Sequence, residues 1–263
     1  MGQHSLSIIV PALNEQGNLR LTVQEVLLAV EGLFDEFEIL VFDDASTDGT
    51  AEIADCLATE HPQIRVFHNS VNKGLGWNYR AGVEAARMHY VILVNGKHDV
   101  AADQLRRILE LHGQADVILP YHTNDKDRPW IRHVISRTYT MLLNILFGLN
   151  LKYFNDSALY PTAAVRQFNV QTDSYAFSAE TVIKALRLKL NCIQVPISNI
   201  YPQITITRSR AFSMRNVLGV TWFFLRMIGE IYLPDLLGGQ DFGSSGVIMG
   251  RPSASRETAA STP

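Results

Sequence analysis

Short apolar runs alternate with helix-spaced apolar positions through the first half of the chain. SIIVPA, FEILVFDD, IRVFHN, HYVILVN and DVILPY are rich in Ile, Val, Leu and Phe, and each stops at polar or turn residues. That is the pattern of short buried strands. Between them, residues 19–33, 51–61, 77–88 and 103–114 carry apolar side chains at helical spacing. Regular strand–helix alternation predicts an α/β domain, with a mostly parallel sheet covered on both faces by helices. Ligands of such sheets lie at the carboxyl ends of the strands. Asn14, Asp43, Asp44 and Asn95 all fall there.

The second half changes character. Residues 138–151, TYTMLLNILFGLNL, carry no charge and are flanked by Arg132, His133 and Arg137 before and Lys152 after. A bilayer span takes roughly 20 apolar residues, so this stretch is too short to cross one. Two readings stay open: a buried helix, or a helix lying in a membrane interface with its basic flanks at headgroup level. Residues 214–237 mix Trp222, Phe223, Phe224 and Met227 with Arg215, Arg226, Glu230 and Asp235, which predicts an amphipathic helix. From Gly238 onward Gly, Ser, Ala and Thr dominate without a sustained period, as in a flexible tail. The expected organisation is therefore one domain over 1–212, including an apolar helix at about 130–150, an amphipathic helix over 213–237 and a tail over 238–263.

Composition narrows the function classes. With 263 residues, 47% of them hydrophobic, the chain can bury a sizeable core. Its formal net charge of −3 argues against nucleic acid as a partner, which normally requires a basic field. Cys56 and Cys192 stand far apart, suggesting neither a disulfide framework nor a metal-ligand spacing, and a reducing cytoplasm fits. MGQHSLSIIVPA has no basic region followed by a long apolar core, so no secretory signal is expected; Ser7 falls one place too late for a myristoylation pattern.

Three loops carry candidate chemistry. PALNEQGNL follows the first strand, with Asn14 or Glu15 placed to cap a helix. DDASTDGT sets Asp43 beside Asp44, and neighbouring carboxylates repel unless a ligand or cation offsets them. Asp44 could accept hydrogen bonds from a nucleotide base, and Asp43 could pair with Lys73. NSVNKGLGWNYRAGVEAA follows the third strand; Gly74 and Gly76 permit close backbone approach, though such a loop is often only a turn.

Taken in order, "SIIVPALNEQGNL", "EILVFDDASTDGT", "NKGLGWNYRAGVEAA" and the strand ending at "VNGKHDV" resemble the inverting glycosyltransferases of family 2, of the GT-A fold. "RPWIRHVISRTYTMLLNILFGLNLKYFND", "YAFSAETVIKAL" and "IQVPI" look like the branch containing dolichol-phosphate mannose synthases and related polyprenyl-phosphate enzymes. The likeness covers about residues 5–217. It implies transfer from a nucleotide-diphosphate sugar to a polyprenyl phosphate or similar acceptor, with inversion, at the inner face of a membrane. By position, Pro11, Leu13, Glu15, Phe42 and Asp44 match the family's nucleotide-binding positions. Arg132 matches an arginine that contacts phosphate. Glu180 sits near where hydroxyl-directed members keep a general base. Arg208 and Arg210 fall where a basic loop closes on the diphosphate, although Thr207 replaces a glycine and Gln203 stands near the place of an arginine.

The pattern breaks at the fourth strand. Most members carry carboxylates there that hold Mg²⁺ or Mn²⁺ against the diphosphate. Here the aligned residues are Asn95, Gly96, Lys97, His98 and Asp99, with Lys97 in the place of a metal-binding acid. Three readings compete. Lys97 neutralises the diphosphate as a fixed cation, Asp99 with His98 keeps a displaced metal site, or the chain binds a nucleotide sugar or a partner without turnover. For a polyprenyl phosphate acceptor no strong base is needed, because a phosphate's second pKa is about 6. A hydroxyl acceptor would call on Glu180.

Overall fold

β1 (Ser5–Ala12) is buried along its whole length and takes the middle of the sheet, the place expected for a strand whose apolar run, Ile8 to Ala12, is unbroken. A computed structural model of the protein describes residues 4–123, 130–198 and 222–230. Parallel to β1 run β2 (Glu36–Asp43) on one side and β4 (Tyr90–Leu93) on the other, with β3 (Ile64–His68) beyond β2. A short antiparallel strand, β6 (Tyr160–Pro161), closes the β4 edge. The order is β3-β2-β1-β4-β6. The last of the expected strands, β5 (Val117–His122), leaves this sheet and pairs in parallel with β7 (Cys192–Ile197).

Side chains of β1 alternate between two faces. Leu6, Ile8 and Val10 belong to a core with α1 (Leu19–Val30), α2 (Thr50–Glu60) and α4 (Ala102–Leu109). Ile9 faces the other way, against Gly82 of α3 (Leu75–Ala85), where a Cβ would come within 2.7 Å of the isoleucine side chain. Each of these helices matches a predicted segment, with ends shifted by at most five residues. α1 stops at Val30 because Gly32 turns through φ +70° and the Leu33 N–H bonds back to the Val30 carbonyl. α6 (Thr162–Gln167) and α7 (Phe177–Arg187) follow β6.

α5 (Trp130–Phe147) contains most of the apolar stretch but begins earlier. Leu143 is fully buried, whereas Val134, Ile135, Met141, Leu142 and Ile145 are exposed, Ile145 at 71%. The buried-helix reading thus holds for one stripe, and the rest faces outward. Residues 222–230 are helical, with Phe223 and Met227 buried and Trp222 and Leu225 exposed, the amphipathic pattern expected. Tyr139 of α5 meets Phe224 edge-on at 5.8 Å. Among the described residues no helix is long and apolar enough to cross a membrane. The chain divides into compact units Met1–Met227 and Ile228–Pro263; of the second, residues 228–230 are described. The predicted tail lies outside the described residues.

Candidate active site

The three central strands end level with one another. Ala12 is paired with Asp43, the Asp44 N–H donates to the Ala12 carbonyl at 2.8 Å, and the Gly96 N–H donates to the Pro11 carbonyl at 3.1 Å. Beyond this edge each strand's loop turns through a left-handed residue: Asn14 (φ 57°), Ala45 (φ 61°) and His98 (φ 54°). Such backbone costs about 1 kcal/mol or more for a non-glycine residue and persists where surrounding bonds determine it. Here the loops tie each other down. Asn14 Oδ1 accepts from the Thr47 N–H at 2.8 Å, Ser46 Oγ accepts from the Asn14 N–H at 3.0 Å, and Thr50 Oγ1 accepts from the Glu15 N–H at 2.8 Å. Neither Asn14 nor Glu15 serves as the N-cap of α1; that residue is Asn18, whose side chain donates to Glu15 Oε2 at 2.7 Å.

Pro11 is buried, Leu13 and Glu15 are half-buried, and Phe42 stacks on Phe67 with centroids 4.7 Å apart. Asp44 is buried at the end of β2. Its Oδ1 accepts from the Lys73 N–H (2.8 Å) and Asn69 Nδ2 (2.9 Å), and its Oδ2 accepts from the Gly74 N–H (2.9 Å). The carboxylate therefore draws the glycine loop to the strand edge. The expected Asp43–Lys73 pair is not formed: Asp43 accepts from the Ser46 N–H and faces His68 Nδ1 at 3.2 Å, while the Lys73 ammonium sits 3.7 Å from the Trp77 ring centroid. A lysine over an aromatic face gains cation–π attraction that a buried carboxylate already in other bonds does not offer.

At the end of β4, Gly96 presses on β1, where a Cβ would come within 2.9 Å of the Pro11 carbonyl oxygen. Asn95 precedes it, half-buried, and Lys97 and Asp99 follow as an ion pair, Nζ to Oδ2 at 2.9 Å. Burial pulls the Lys97 pKa down, but the Asp99 charge and hydrogen bond outweigh it and hold the ammonium above its ordinary value; Tyr175 and Tyr153 lie within electrostatic range. Burial likewise pushes the Glu15 carboxyl up, against the Asn18 hydrogen bond and the Lys97 charge.

These residues do not fit a Mg²⁺ or Mn²⁺ site. Asp99 already holds an ammonium. His98 turns to α1, with its N–H on Thr22 Oγ1 at 3.0 Å and its Nε2 3.4 Å from Glu25. Among the described residues no group of three or more His, Cys, Asp or Glu side chains is gathered as ligands would be. The His98–Asp99 pairing expected for a displaced metal site is not brought together.

Glu180 is not placed as a base. It is fully buried, and its oxygens accept from the Gln171 N–H (3.1 Å), the Thr172 N–H (3.0 Å), Lys184 Nζ (2.7 Å) and Arg226 Nη2. Burial alone would raise its pKa, but Lys184, Thr172 and Arg226 outweigh it and hold the carboxyl below the usual range. A general base must reach the proton it takes, and this one is enclosed. Arg132 belongs to the first turn of α5, and its side chain lies outside the described residues, as do Arg208 and Arg210.

Two further buried residues were not singled out from the sequence. His122 Nε2 lies 3.1 Å from Asp156 Oδ2, both well buried. Burial raises the Asp156 pKa and the Asp99 charge adds to it, while His122 and Lys97 oppose. Asp99 and Asp156 line one cavity of about 20 Å³ together with Asn95 and Ser157. His122 stands one residue past the DVILPY run, so the strand-end rule that selected Asn95 would also have selected it.

Comparison with known proteins gives this edge a context. The model of the family "Glycosyl transferase family 2" matches residues 7–171. An undecaprenyl-phosphate mannosyltransferase of Micrococcus luteus is 30% identical over 203 residues, covering 72% of this chain and 81% of its own. A polyprenol monophosphomannose synthase of Mycolicibacterium smegmatis is 28% identical over 227 residues, covering 80% and 83%. Among solved structures, glucosyl-3-phosphoglycerate synthase from Mycobacterium tuberculosis, in complex with Mn²⁺, UDP and glucosyl-3-phosphoglycerate, superposes with a TM-score of 0.61. It shares 16% identity and covers 91% of this chain and 82% of its own, a likeness of fold.

Proposed function

Because the chain belongs to glycosyl transferase family 2, with the GT-A fold of that family's enzymes, we propose that it moves a sugar from a nucleotide-diphosphate donor to a polyprenyl phosphate. The acceptor phosphate oxygen attacks the anomeric carbon from the face opposite the leaving group. The bond from that carbon to the diphosphate oxygen breaks, the nucleoside diphosphate leaves with the electron pair, and the configuration inverts. An acceptor phosphate is anionic near neutral pH, so no enclosed carboxylate has to act as base. The acceptor class rests on the two relatives named for polyprenyl-phosphate chemistry and on the exposed apolar face of α5, which suits peripheral contact with the inner face of a membrane.

The observation that carries the mechanism is Lys97. Gly96 holds it at the carboxyl edge of the sheet, and Asp99 keeps it charged. A fixed ammonium aimed at a developing diphosphate charge stabilises the leaving group. Arg208 and Arg210 are proposed to add to it as the loop that closes on the phosphates, Arg132 to hold the acceptor phosphate, and Pro11, Leu13, Glu15, Phe42, Asp44 and Asn95 to seat the nucleotide.

Transfer from UDP-, GDP- and CDP-sugars to polyprenyl phosphate, with Mn²⁺ or with EDTA, tests this reading. Turnover is expected to persist in EDTA, and Lys97→Ala to lower kcat by about 10²–10³-fold, the loss typical of one charge-stabilising group. Turnover that strictly needs a divalent ion and survives Lys97→Ala would sink the role given to Lys97. Absence of transfer with every donor would sink the reaction itself.

A further inference from the structure

Arg226 and Glu180 are deeply enclosed, yet the chemistry above uses neither. Hydrogen bonds joined by short stretches of backbone lead from them to Asp44. The Arg226 guanidinium pairs with Glu180 and donates to Gln171 Oε1 and Thr172 Oγ1, each at 3.0 Å. Glu180 accepts the N–H groups of Gln171 and Thr172, so residues 171–172 are gripped through backbone and side chain alike. The opposite side of this segment is held by α3. The Gly76 N–H donates to the Asp173 carbonyl at 3.1 Å, and Arg80 donates to the Thr172 carbonyl at 3.2 Å and pairs with Asp173. Contact there is close enough that a Cβ on Gly76 would overlap the Thr172 carbonyl oxygen. Gly74, two residues before Gly76, and Lys73 supply the N–H groups that hold Asp44.

We propose that Arg226 and Glu180 are positioning residues for the donor nucleoside diphosphate. By pinning segment 171–173 they set the amino end of α3, and with it the 73–74 backbone that orients Asp44. The inference rests on the reading of the Asp44 edge as the nucleotide site. A pair that merely stabilised the fold would change the melting temperature and the active fraction while leaving the affinity of folded molecules alone. A positioning pair changes affinity itself. Arg226→Gln should remain folded, because Glu180 keeps Lys184 and two backbone N–H groups.

The test is calorimetric titration of the full chain with UDP, GDP and CDP, below the melting temperature of each variant. Wild type is expected to bind one of the three. Arg226→Gln and Gly76→Ala are each expected to weaken that binding about tenfold, the size of an ordinary coupling between sites. Arg226→Lys should fall between, since an ammonium keeps the charge at Glu180 but loses the planar fork that also reaches Gln171 and Thr172. The Arg226→Gln/Gly76→Ala double variant should lose little more than the weaker-binding single one, as expected for two changes in one connected unit. Wild-type affinity in both single variants, or losses that simply multiply in the double variant, would overturn the proposal. Absence of binding by wild type would instead overturn the nucleotide reading on which it rests.

Discussion

Gly96 shows how much can depend on one missing carbon. Alanine there would bring a Cβ within 2.9 Å of the Pro11 carbonyl oxygen and 3.2 Å of Ala12 Cβ, and both neighbours belong to the central strand. Neither can yield without moving the sheet. Gly96→Ala is expected to cost about 1–3 kcal/mol in urea denaturation, the usual range for overpacking, and to weaken nucleotide binding by shifting Lys97. His68 offers a test by pH. Its hydrogen bond to Asp43 is the largest cause raising its pKa above the ordinary 6.5, with Asp55 adding to it and burial opposing. The folded value therefore exceeds the unfolded one. The stabilisation is fully present below the unfolded value and is lost as pH rises through the folded value. Melting curves of wild type and His68→Gln should differ most below the ordinary imidazole value of 6.5 and draw together as the pH rises above it. A gap that widened toward alkaline pH would show that the His68–Asp43 contact does not act through the imidazolium.

α5 is the element whose two sides make opposite predictions. Leu143 is fully buried, and Leu143→Ala is expected to cost about 2–5 kcal/mol by opening a cavity. Ile145, two positions on, is 71% exposed, and Ile145→Glu should leave the unfolding free energy within about 0.5 kcal/mol of wild type. If this face meets lipid, the same substitution lowers co-sedimentation with anionic vesicles, since it removes apolar area and adds a like charge. Equal sedimentation of the two proteins would remove the membrane from the account of α5. The sequence revealed the lack of charge in 138–151 but not which side chains pack. The hydrophobic stretch is nearly continuous, and only the contacts of Tyr139 with Phe224 and the burial of Leu143 separate an inner stripe from an outer one. The helix over 222–230 was easier to read, because Arg226 and Glu230 interrupt its apolar residues.

Across the whole molecule, the sheet and its site edge were legible where local chemistry and tertiary position agree. Strands such as SIIVPA and FEILVFDD are buried at the centre of a parallel sheet, and their polar ends fall at a common edge. Short-range pattern therefore determined β1 to β4, α1 to α4 and the gathering of Glu15, Asp44 and Lys97 at one side. It could not show that β5 would desert the main sheet for β7, whose partner residues lie some 75 positions away. Nor could it assign a carboxylate its task. Glu180 was a candidate base on sequence alone, and burial with Lys184 and Arg226 made it a tie; Asp156 was not singled out, and the fold pairs it with His122 and sets it in the cavity that Asp99 lines. Residue type and spacing state what a side chain can do in water. Desolvation and the choice of counter-charge state what it does in the protein, and both are set by residues distant in sequence. The sequence by itself thus determined the layered fold, the edge on which the candidate residues stand and the presence of a lysine, Lys97, just past the fourth strand. Only the tertiary structure decided which charges are paired, which are enclosed, and that Lys97 is held by Asp99.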